Sequence, residues 1–397
     1  MRIAYIAPYQ SPCLVKRRPS ERNLSLAARV KIQLIAELLR KSSHQVDVIS
    51  PGTVDRRQFR FYPSFLEPEP FHPEIPVQYV SALPIQYISG FWEAESARRL
   101  FNSRHKNRPY DAVIIYGLGN AQVRCAQFAI NQLRLPVILE YEDDAFLDVH
   151  GKPGTGLGSD NEVGMRRKHH WAVFRNLFES ISGVMAPSSY LLSQVPEDKQ
   201  KMLLRAVISD EILSLRGSAT PKQNWVVFSG THEQTQGLEQ TLQAWRMLKI
   251  PDWELHIAGQ GPLTPKLQSI AAGDPSIVFH GLLDRAQNAR MLCAAKIGMN
   301  PQDPTRIPGN VFAFKIVEYL ASGAHVVTTP RGAVEPDLEK GITYIQDNTP
   351  ATIAESLREI IQSSHYTRTA EEAAVVRYGP ATVSKSLNSM LAGAVGR

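Results

Sequence analysis

Residues 310–329 read NVFAFKIVEYLASGAHVVTT, and this stretch is the most informative part of the chain. Phe312, Ile316 and Leu320 recur at the spacing of an amphipathic helix, which we predict over 311–322. Gly323 suits the left-handed residue that ends a helix. The β-branched run that follows, HVVTT, predicts a short buried strand. The stretch therefore predicts a helix, a glycine stop and a strand, as in an α/β sheet.

Glu318 lies inside this otherwise apolar helix. A buried carboxylate is costly unless another group pairs with it or donates hydrogen bonds to it. A ligand that carries vicinal hydroxyls would satisfy that requirement. The same stretch therefore supplies the first candidate binding residue.

The rest of the chain repeats this alternation of strands and helices. Continuous apolar runs such as IIY and VIL favour parallel sheets that are buried on both faces. A proline-rich segment, 51–76, interrupts the first series, and a linker is predicted around Ile212–Lys222. We predict an α/β protein with two doubly wound Rossmann-like domains that face a cleft. The predicted parts are 1–212, 213–375 and a last helix within 376–397 that can cross back to the first domain.

Composition places the chain among ordinary globular proteins. Its 397 residues are 43% hydrophobic and 21% charged, with a net charge of +6. The mild positive charge fits a phosphate-bearing ligand or an anionic membrane surface, whereas the absence of a dense basic stripe argues against a nucleic-acid partner. The three cysteines have no metal-binding spacing and suggest a reducing cytoplasm. No segment is long enough to span a bilayer.

Three successive predicted strands of the second half end in glycine. Gly230, Gly259 and Gly281 would let a ligand or another backbone approach closely, although simple turn chemistry explains any one of them. No GxGxxG follows the first strand, and GQGP at 259–262 lacks the spacing of that fingerprint. Binding of NAD is therefore disfavoured.

The motifs of the second half resemble the donor-binding domain of GT-B glycosyltransferases of the retaining family 4 type. The matching pieces, which cover most of 224–347, are FSG…QGLEQTLQAW (228–245), LHIAGQGP (255–262), VFHGLL (278–283) and KIVEYLASGAHVVTTP (315–330). The first half matches more loosely, through MRIAYIAP. The resemblance implies that the donor binds the second domain and the acceptor the first.

In that family two glutamates eight positions apart hold the nucleotide sugar. The second matches Glu318, which the resemblance assigns to the ribose hydroxyls. The first falls on Asn310, which keeps hydrogen-bonding capacity but loses a charge; a helix N-cap is the structural alternative for this residue. The family lysine three residues before the glutamate matches Lys315.

The family also places an arginine and a lysine after the first strand of this domain, where this chain has Thr231 and Gln236. A diphosphate leaving group needs positive charge or aligned N–H donors. Substitutes are Lys315, favoured here, and Arg306, Arg331, His232 or the helix N-terminus at Val311. The predicted donor-binding residues are Glu318, Lys315, Phe312, Val311, Gly230, Thr231, Gln236, Gly259, Gly281 and Arg306.

In the first half, EYEDDAF (140–146) ends a predicted strand with four carboxylates in five positions. Asp143 and Asp144, which we group with Asn310 as the catalytic candidates, would contact acceptor hydroxyls or supply a base. A helix-start cluster favoured by the dipole is the alternative. The loop 11–20, with Lys16, Arg17 and Arg18, is a further candidate for acceptor contacts, and ordinary loop polarity explains it nearly as well.

The resemblance implies a retaining hexosyltransferase that moves a sugar from a UDP- or GDP-sugar to a hydroxyl acceptor. It implies no metal and no cofactor beyond the nucleotide sugar. We expect a cytoplasmic protein, with peripheral membrane contact as an open alternative. A catalytically silent scaffold on the same fold is the second hypothesis, supported by Asn310 and the missing basic pair. An epimerase or a phosphorylase is the third.

Overall fold

The computed structural model describes residues 1–18, 26–52, 60–85, 88–142, 176–216, 221–305, 312–330, 332, 334–363 and 368–396. The chain divides into two compact units. The first contains Met1–Leu147, Pro153–Leu204 and Val383–Arg397, and the second contains Asp148–Lys152 and Arg205–Thr382. Ile212, the start of the predicted linker, lies in a helix of the second unit, Asp210–Leu215.

Among the described residues, eight strands form the sheet of the first unit in the order β3-β4-β2-β1-β5-β6-β7-β8. All neighbouring pairs are parallel except β3 with β4. The strands are β1 Arg2–Ile6, β2 Gln45–Ser50, β3 Phe65–Leu66, β4 Val77–Tyr79, β5 Ala112–Tyr116, β6 Val137–Glu140, β7 Gly183–Ala186 and β8 Gln200–Leu203. The strand order changes direction between β1 and β5, which is where ligands of such sheets bind.

Helices connect these strands, as right-handed crossovers between parallel strands require. They are Pro12–Arg17, Leu26–Lys41, Ser89–Asn107, Asn120–Phe128 with a π-helical extension Ala129–Leu133, and Ser189–Ser193. The described residues 176–180, which precede β7, are also helical. The short helix Pro12–Arg17 occupies part of the segment that was expected to be a loop.

The last helix, Pro380–Val395, belongs to the first unit from Val383 onward. The hydroxyls of Ser384 and Ser42 lie 2.7 Å apart, and Asn388 Oδ1 lies 2.7 Å from His44 Nε2. Its apolar face is buried through Val383, Leu387 and Leu391. Its i, i+4 and i+8 spacing is that of an amphipathic helix, which explains why the C-terminal segment packs as a helix.

The sheet of the second unit, as far as it is described, has six parallel strands in the order β11-β10-β9-β12-β13-β14. They are β9 Gln223–Ser229, β10 Glu254–Ala258, β11 Ile277–Gly281, β12 Ala295–Asn300, β13 His325–Thr328 and β14 Ile342–Tyr344. The helices are Asp210–Leu215, Leu238–Leu248, Thr264–Ala271, Arg285–Ala294, Phe314–Ala321, Pro336–Glu339, Pro350–Ser363 and Arg368–Tyr378, with a 3-10 turn at Gln234–Gln236.

Both faces of this sheet are covered by apolar side chains. Val226 packs in one buried cluster and its neighbour Val227 in the other, because successive residues of a strand point to opposite faces. Burial on both faces explains the continuous apolar runs that predicted parallel strands. Two parallel Rossmann-like sheets confirm the predicted α/β fold class.

The helix that carries Glu318 spans Phe314–Ala321, and we call it the Glu318 helix. Its predicted start at Val311 is wrong, because the helix begins at Phe314 and Ala313 occupies the N-cap in an extended conformation. Ala313 therefore takes the N-cap position of this helix, and Asn310 lies outside the described residues. Phe312 is buried, at 6% exposed, and for this reason it fitted the pattern of apolar residues, but it lies in the segment before the helix.

The end of the Glu318 helix agrees with the prediction. Gly323 has a φ of 78°, and its N–H donates to Leu320 O at 2.9 Å. The N–H of Ala324 donates to Tyr319 O at 2.9 Å. These two bonds form a Schellman motif, which requires the left-handed residue that glycine adopts without strain. No helix that the structure describes combines the length and apolar character needed to cross a membrane.

Candidate active site at the carboxyl edge of the second sheet

The three predicted glycines lie side by side at the carboxyl ends of β9, β10 and β11. Gly230 N donates to Ala258 O at 3.1 Å, and Gly259 N donates to Gly281 O at 2.7 Å. Gly259 has a φ of 115°, and a Cβ there would overlap the carbonyl oxygen of Gly230. Close backbone approach therefore requires glycine at 259. Gly281 faces open space, since a Cβ at this position would meet no atom within 4 Å.

Tyr319 ties the Glu318 helix to this glycine edge. The Tyr319 hydroxyl accepts a hydrogen bond from the backbone N–H of Ser229 at 2.9 Å. The ring packs over β12 at Gly298, where a Cβ would overlap it. Ser229, the last residue of β9, is thereby fixed beside the helical turn that carries Lys315 and Glu318. This anchor was not predicted, because a tyrosine in an apolar helix face gives no sign of its partner.

Lys315 places its ammonium group at Gly230. A Cβ on Gly230 would lie 2.8 Å from Lys315 Nζ. The same Nζ donates to Gln236 Oε1 at 3.0 Å and lies 4.2 Å from the centroid of the Phe228 ring. Burial lowers the pKa of Lys315 to about 7, although the nearby Glu318 acts in the opposite direction. The amide and the aromatic face hold this cation without neutralising it.

Glu318 follows Lys315 by three residues, so that both side chains lie on one face of the helix. Burial raises the pKa of Glu318 to about 7, against the lowering effects of Lys315 and Arg285. Within the described part of the chain, no side chain or backbone group forms a hydrogen bond or an ion pair with its carboxylate. A half-buried carboxylate in that state is suited to accept hydrogen bonds from a ligand.

His232 lies two residues beyond Gly230 and is fully buried. Its Nδ1 lies 2.9 Å from Thr264 Oγ1, whereas its Nε2 has no hydrogen-bond partner among the described residues. Burial lowers the pKa of His232, so the neutral ring is favoured near neutral pH. Its backbone also joins two loops, because His232 N donates to Gln260 O at 3.2 Å and Leu263 N to His232 O at 3.0 Å.

The turn that carries Thr231 and Gln236 is held against the end of β12. Gly237 has a φ of 68°, and a Cβ there would overlap the carbonyl oxygen of Pro301. Asp303 N donates to Thr235 O at 2.9 Å. Thr231 and Gln236 are half-buried. The ends of β9 and β12, where the strand order of this sheet changes direction, are therefore joined beside Lys315.

Two buried side chains at the end of β12 were missed in the sequence. Asn300 Nδ2 donates to Thr328 Oγ1 at 2.9 Å, while its Oδ1 has no partner among the described atoms. Gln302 is 7% exposed, and its Oε1 is likewise without a described partner. Buried amide oxygens are normally hydrogen-bonded. An amide at the end of a predicted strand is a weak sequence signal, because such residues are common in ordinary turns.

The other predicted donor-binding residues are not all brought to this place. Phe312 packs in the core, with the Arg205 guanidinium 4.5 Å above its ring centroid. It does not line the group around Lys315. Arg306, Asn310 and Val311, and the acceptor-side candidates Asp143 and Asp144, lie outside the described residues, as does Arg331.

The first unit has its own polar cluster at the carboxyl edge of its sheet. Glu140, the last residue of β6, is fully buried and accepts a hydrogen bond from the Tyr5 hydroxyl. Lys31 Nζ lies 3.4 Å from Glu140 and pairs with Glu142 as well. Burial raises the pKa of Glu140 to about 7, while Lys31 lowers it. The sequence signal was a carboxylate at the end of the apolar strand VILE; its partner Lys31 lies 109 positions earlier.

The basic residues of the expected loop 11–20 have mainly structural contacts. Arg18 is 1% exposed, and its guanidinium donates to Gly52 O at 2.6 Å and to Val80 O at 2.9 Å. Arg17 lies over the Phe65 ring at 4.4 Å. Arg18 therefore holds the edge of the first sheet together and is not available to an acceptor.

Known protein families and solved structures resemble this chain. The model of the family described as Glycosyl transferases group 1 matches residues 223–363, which contain the glycine edge, Lys315 and Glu318. A relative from Mycobacterium tuberculosis, named GDP-mannose-dependent alpha-(1-6)-phosphatidylinositol dimannoside mannosyltransferase, is 30% identical over 146 residues. That match spans 36% of this chain and 37% of the relative.

Solved structures resemble the chain over nearly its whole length. Sucrose-phosphate synthase from Thermosynechococcus elongatus has a TM-score of 0.66 at 15% identity and covers 98% of both chains. HepE from Anabaena, in complex with UDP and glucose, has a TM-score of 0.63 at 16% identity over 99% of both chains. Starch synthase IV from Arabidopsis thaliana, bound to ADP and acarbose, has a TM-score of 0.64 at 10% identity over 100% of both chains. Residues 223–363 therefore resemble the family Glycosyl transferases group 1, and the chain has the GT-B fold.

Proposed function

We propose that this protein is a retaining hexosyltransferase that moves a sugar from a nucleotide-diphosphate sugar to a hydroxyl acceptor. The observation that carries the proposal is the pair Lys315 and Glu318 at the glycine edge. One helical turn there presents the Lys315 amine at Gly230 and the Glu318 carboxyl, which has no hydrogen-bond partner among the described residues. A ligand with a diphosphate and vicinal hydroxyls complements both groups.

The roles follow from the chemistry of each group. Glu318 accepts hydrogen bonds from the ribose hydroxyls, and Lys315 balances the diphosphate charge as the bond to the sugar breaks. Binding of the diphosphate raises the pKa of Lys315 again, because a nearby anion favours the protonated amine. Lys315 thus takes the place of the basic pair that Thr231 and Gln236 replace, and Gln236 orients its ammonium.

The acceptor is assigned to the carboxyl edge of the first sheet, with Asp143 and Asp144 as its contacts. The acceptor hydroxyl attacks the anomeric carbon from the face that the diphosphate leaves, and a phosphate oxygen takes its proton. Asn310 contacts the sugar, while Val311 and Arg306 complete the donor site. The reaction so written needs neither a metal nor a further cofactor. The expected compartment is the cytoplasm, with the acceptor in solution or on a membrane.

GDP-sugars and UDP-sugars are both candidate donors. The relative from Mycobacterium tuberculosis is named for GDP-mannose, and the HepE structure contains UDP and glucose. Both nucleotides present the same ribose and diphosphate to Glu318 and Lys315. The choice of base therefore does not alter the roles proposed for these two residues.

The test measures binding of GDP, UDP and the two nucleosides by calorimetry to the full chain. Lys315→Met should weaken diphosphate binding by about tenfold or more, the expected size for loss of one charge-assisted contact, and nucleoside binding much less. The matched control is Lys266→Met, because Lys266 is exposed and pairs with Glu239 at 2.6 Å on the surface. Equal losses for nucleotide and nucleoside would reject the role of Lys315.

Turnover is tested separately. Release of nucleoside diphosphate from GDP-mannose or UDP-glucose, accelerated by a hydroxyl acceptor and lost in Glu318→Ala, is the result expected of a transferase. Binding of the nucleotide sugar without turnover across diverse acceptors would favour the silent scaffold. Retention is read from the anomeric configuration of the product by NMR, and an inverted product would refute the proposed stereochemistry.

A further inference from the structure

Three exposed aromatic side chains form a patch on the first unit. Phe61 is 51% exposed, Phe91 71% and Trp92 37%. The rings of Phe61 and Trp92 meet edge to face, with centroids 6.0 Å apart. Ile88, the residue before the helix Ser89–Asn107, is also 46% exposed. Single exposed hydrophobic residues are common, whereas several neighbouring exposed ones are typical of a surface that contacts another body.

The polar atom of Trp92 is satisfied within the chain. Its indole N–H donates to Ser81 Oγ at 3.2 Å, while the ring itself stays exposed. Trp92 also lies on the side of its helix opposite Ala94, Ala97 and Phe101, which are buried. The aromatic surface is therefore held outward by the helix and needs no hydrogen-bonding partner. An exposed ring with a bonded N–H suits the interface of a bilayer.

Positive charge surrounds the patch. Glu95, four residues after Phe91, is contacted by Arg98 at 2.5 Å, Arg99 at 3.1 Å and Arg124 at 3.6 Å. The side chains of Arg99 and Arg124 are 75% and 50% exposed. Together with the exposed Arg60 next to Phe61, the described residues here include four arginines and two carboxylates: Arg60, Arg98, Arg99 and Arg124, and Glu93 and Glu95. The excess favours an anionic surface.

The patch lies at the carboxyl edge of the first sheet. Gly90 abuts Asn120, since a Cβ on Gly90 would lie 2.5 Å from Asn120 Nδ2. Asn120 begins the helix that follows β5, and β5 lies at the point where the strand order changes direction. This is the edge where an α/β sheet binds its ligand. A body that covers the patch therefore sits beside the expected acceptor site.

We propose that Phe61, Phe91 and Trp92, with the arginines beside them, dock the first unit on an anionic bilayer surface. The aromatic rings enter the interface between headgroups and acyl chains, and the arginines attract anionic headgroups. A hydroxyl acceptor carried on a membrane lipid then reaches the carboxyl edge of the first sheet. This last step rests on the proposed function, whereas the docking itself does not.

The test is sedimentation of the full chain with vesicles of phosphatidylcholine, with and without phosphatidylglycerol. Wild type should sediment with the mixed vesicles and detach as salt rises, because surface charges are screened. The double variant Phe91→Ser, Trp92→Ser should bind the mixed vesicles at least about tenfold more weakly than wild type. The matched control, Val376→Ser, removes a side chain that is 69% exposed on the second unit and should bind as wild type.

Several results would overturn the docking proposal. The first is that wild type does not bind the mixed vesicles at low salt. The second is that the double variant and the control bind equally well. The third is that the protein forms a dimer in solution which the double variant abolishes while its vesicle binding persists. Circular dichroism melting shows whether the variants fold. If the serine substitutions impair folding, the conservative double variant Phe91→Leu, Trp92→Leu is used, and it should retain most of the vesicle binding. Binding of GDP or UDP is measured on the same samples, so failure of the donor site is separable from failure of docking.

Discussion

Replacement of Glu318 by glutamine is expected to stabilise the free protein while it weakens donor binding, because the amide keeps hydrogen-bonding capacity but loses the charge. Burial raises the pKa of this carboxyl from 4.5 to about 7. At about 1.4 kcal/mol per pKa unit, its ionisation costs at most about 3.5 kcal/mol at pH 8. Because the side chain is partly open to solvent, we expect about 1–2 kcal/mol in practice. For a unit of this size that corresponds to a rise in Tm of about 3–6 °C.

The sign of the pH dependence follows from the raised pKa. In the wild type, the native carboxyl holds its proton up to about pH 7, whereas the unfolded chain releases it near 4.5. Stability contributed by the protonated form is therefore lost as pH rises from about 4.5 to 7. Glutamine does not ionise, so its advantage should be large at pH 8 and small at pH 5.

The assay is thermal unfolding of both proteins at pH 5 and pH 8, with and without GDP or UDP. Glu355→Gln is the matched control, because Glu355 is exposed on the helix Pro350–Ser363. A Tm for Glu318→Gln at or below that of wild type at pH 8 would refute the argument that ionisation of this buried carboxyl destabilises the native protein. Nucleotide stabilisation of Glu318→Gln as large as that of wild type would refute the role of Glu318 in ribose binding.

Two further substitutions test the contacts that hold the carboxyl edges of the two sheets. Gly259→Ala should destabilise the protein by about 2 kcal/mol or more in urea unfolding, because its Cβ overlaps Gly230 O. Gly273→Ala also has a positive φ but meets no atom within 4 Å, so a loss of equal size there would assign the effect to backbone strain alone. Lys31→Met should cost about 3 kcal/mol at pH 8, because it leaves the buried Glu140 unpaired. The loss should shrink at pH 5, where Glu140 is protonated, and a loss that does not depend on pH would contradict this account.

Local patterns in the sequence were sufficient for most strands and most helices. The helix Leu238–Leu248 is buried along one face, and Asp284 and Gln287 form the capping box that starts the helix Arg285–Ala294. The strands β3, β8 and β14 were not predicted. They have two to four residues, too few for a period-two pattern to stand out. The predicted start of the Glu318 helix was wrong because burial alone does not distinguish a helical residue from an extended one.

The sequence by itself determined which residues were candidates at the donor site. A carboxylate inside an apolar helix and a lysine three positions earlier are visible in the order of residues, and helical geometry places both on one face. Successive glycines at strand ends were visible in the same way.

Only the tertiary structure decided what these candidates meet. Lys315 reaches Gln236 and Gly230 because Tyr319 bonds the end of β9, 90 positions away, and because Gly298 admits its ring. Lys31 likewise meets Glu140 only through the packed first sheet. Such pairs are set by the distances between elements in the folded chain, which no spacing along one element records. The sequence thus determined the chemical groups, and packing decided which of them act together.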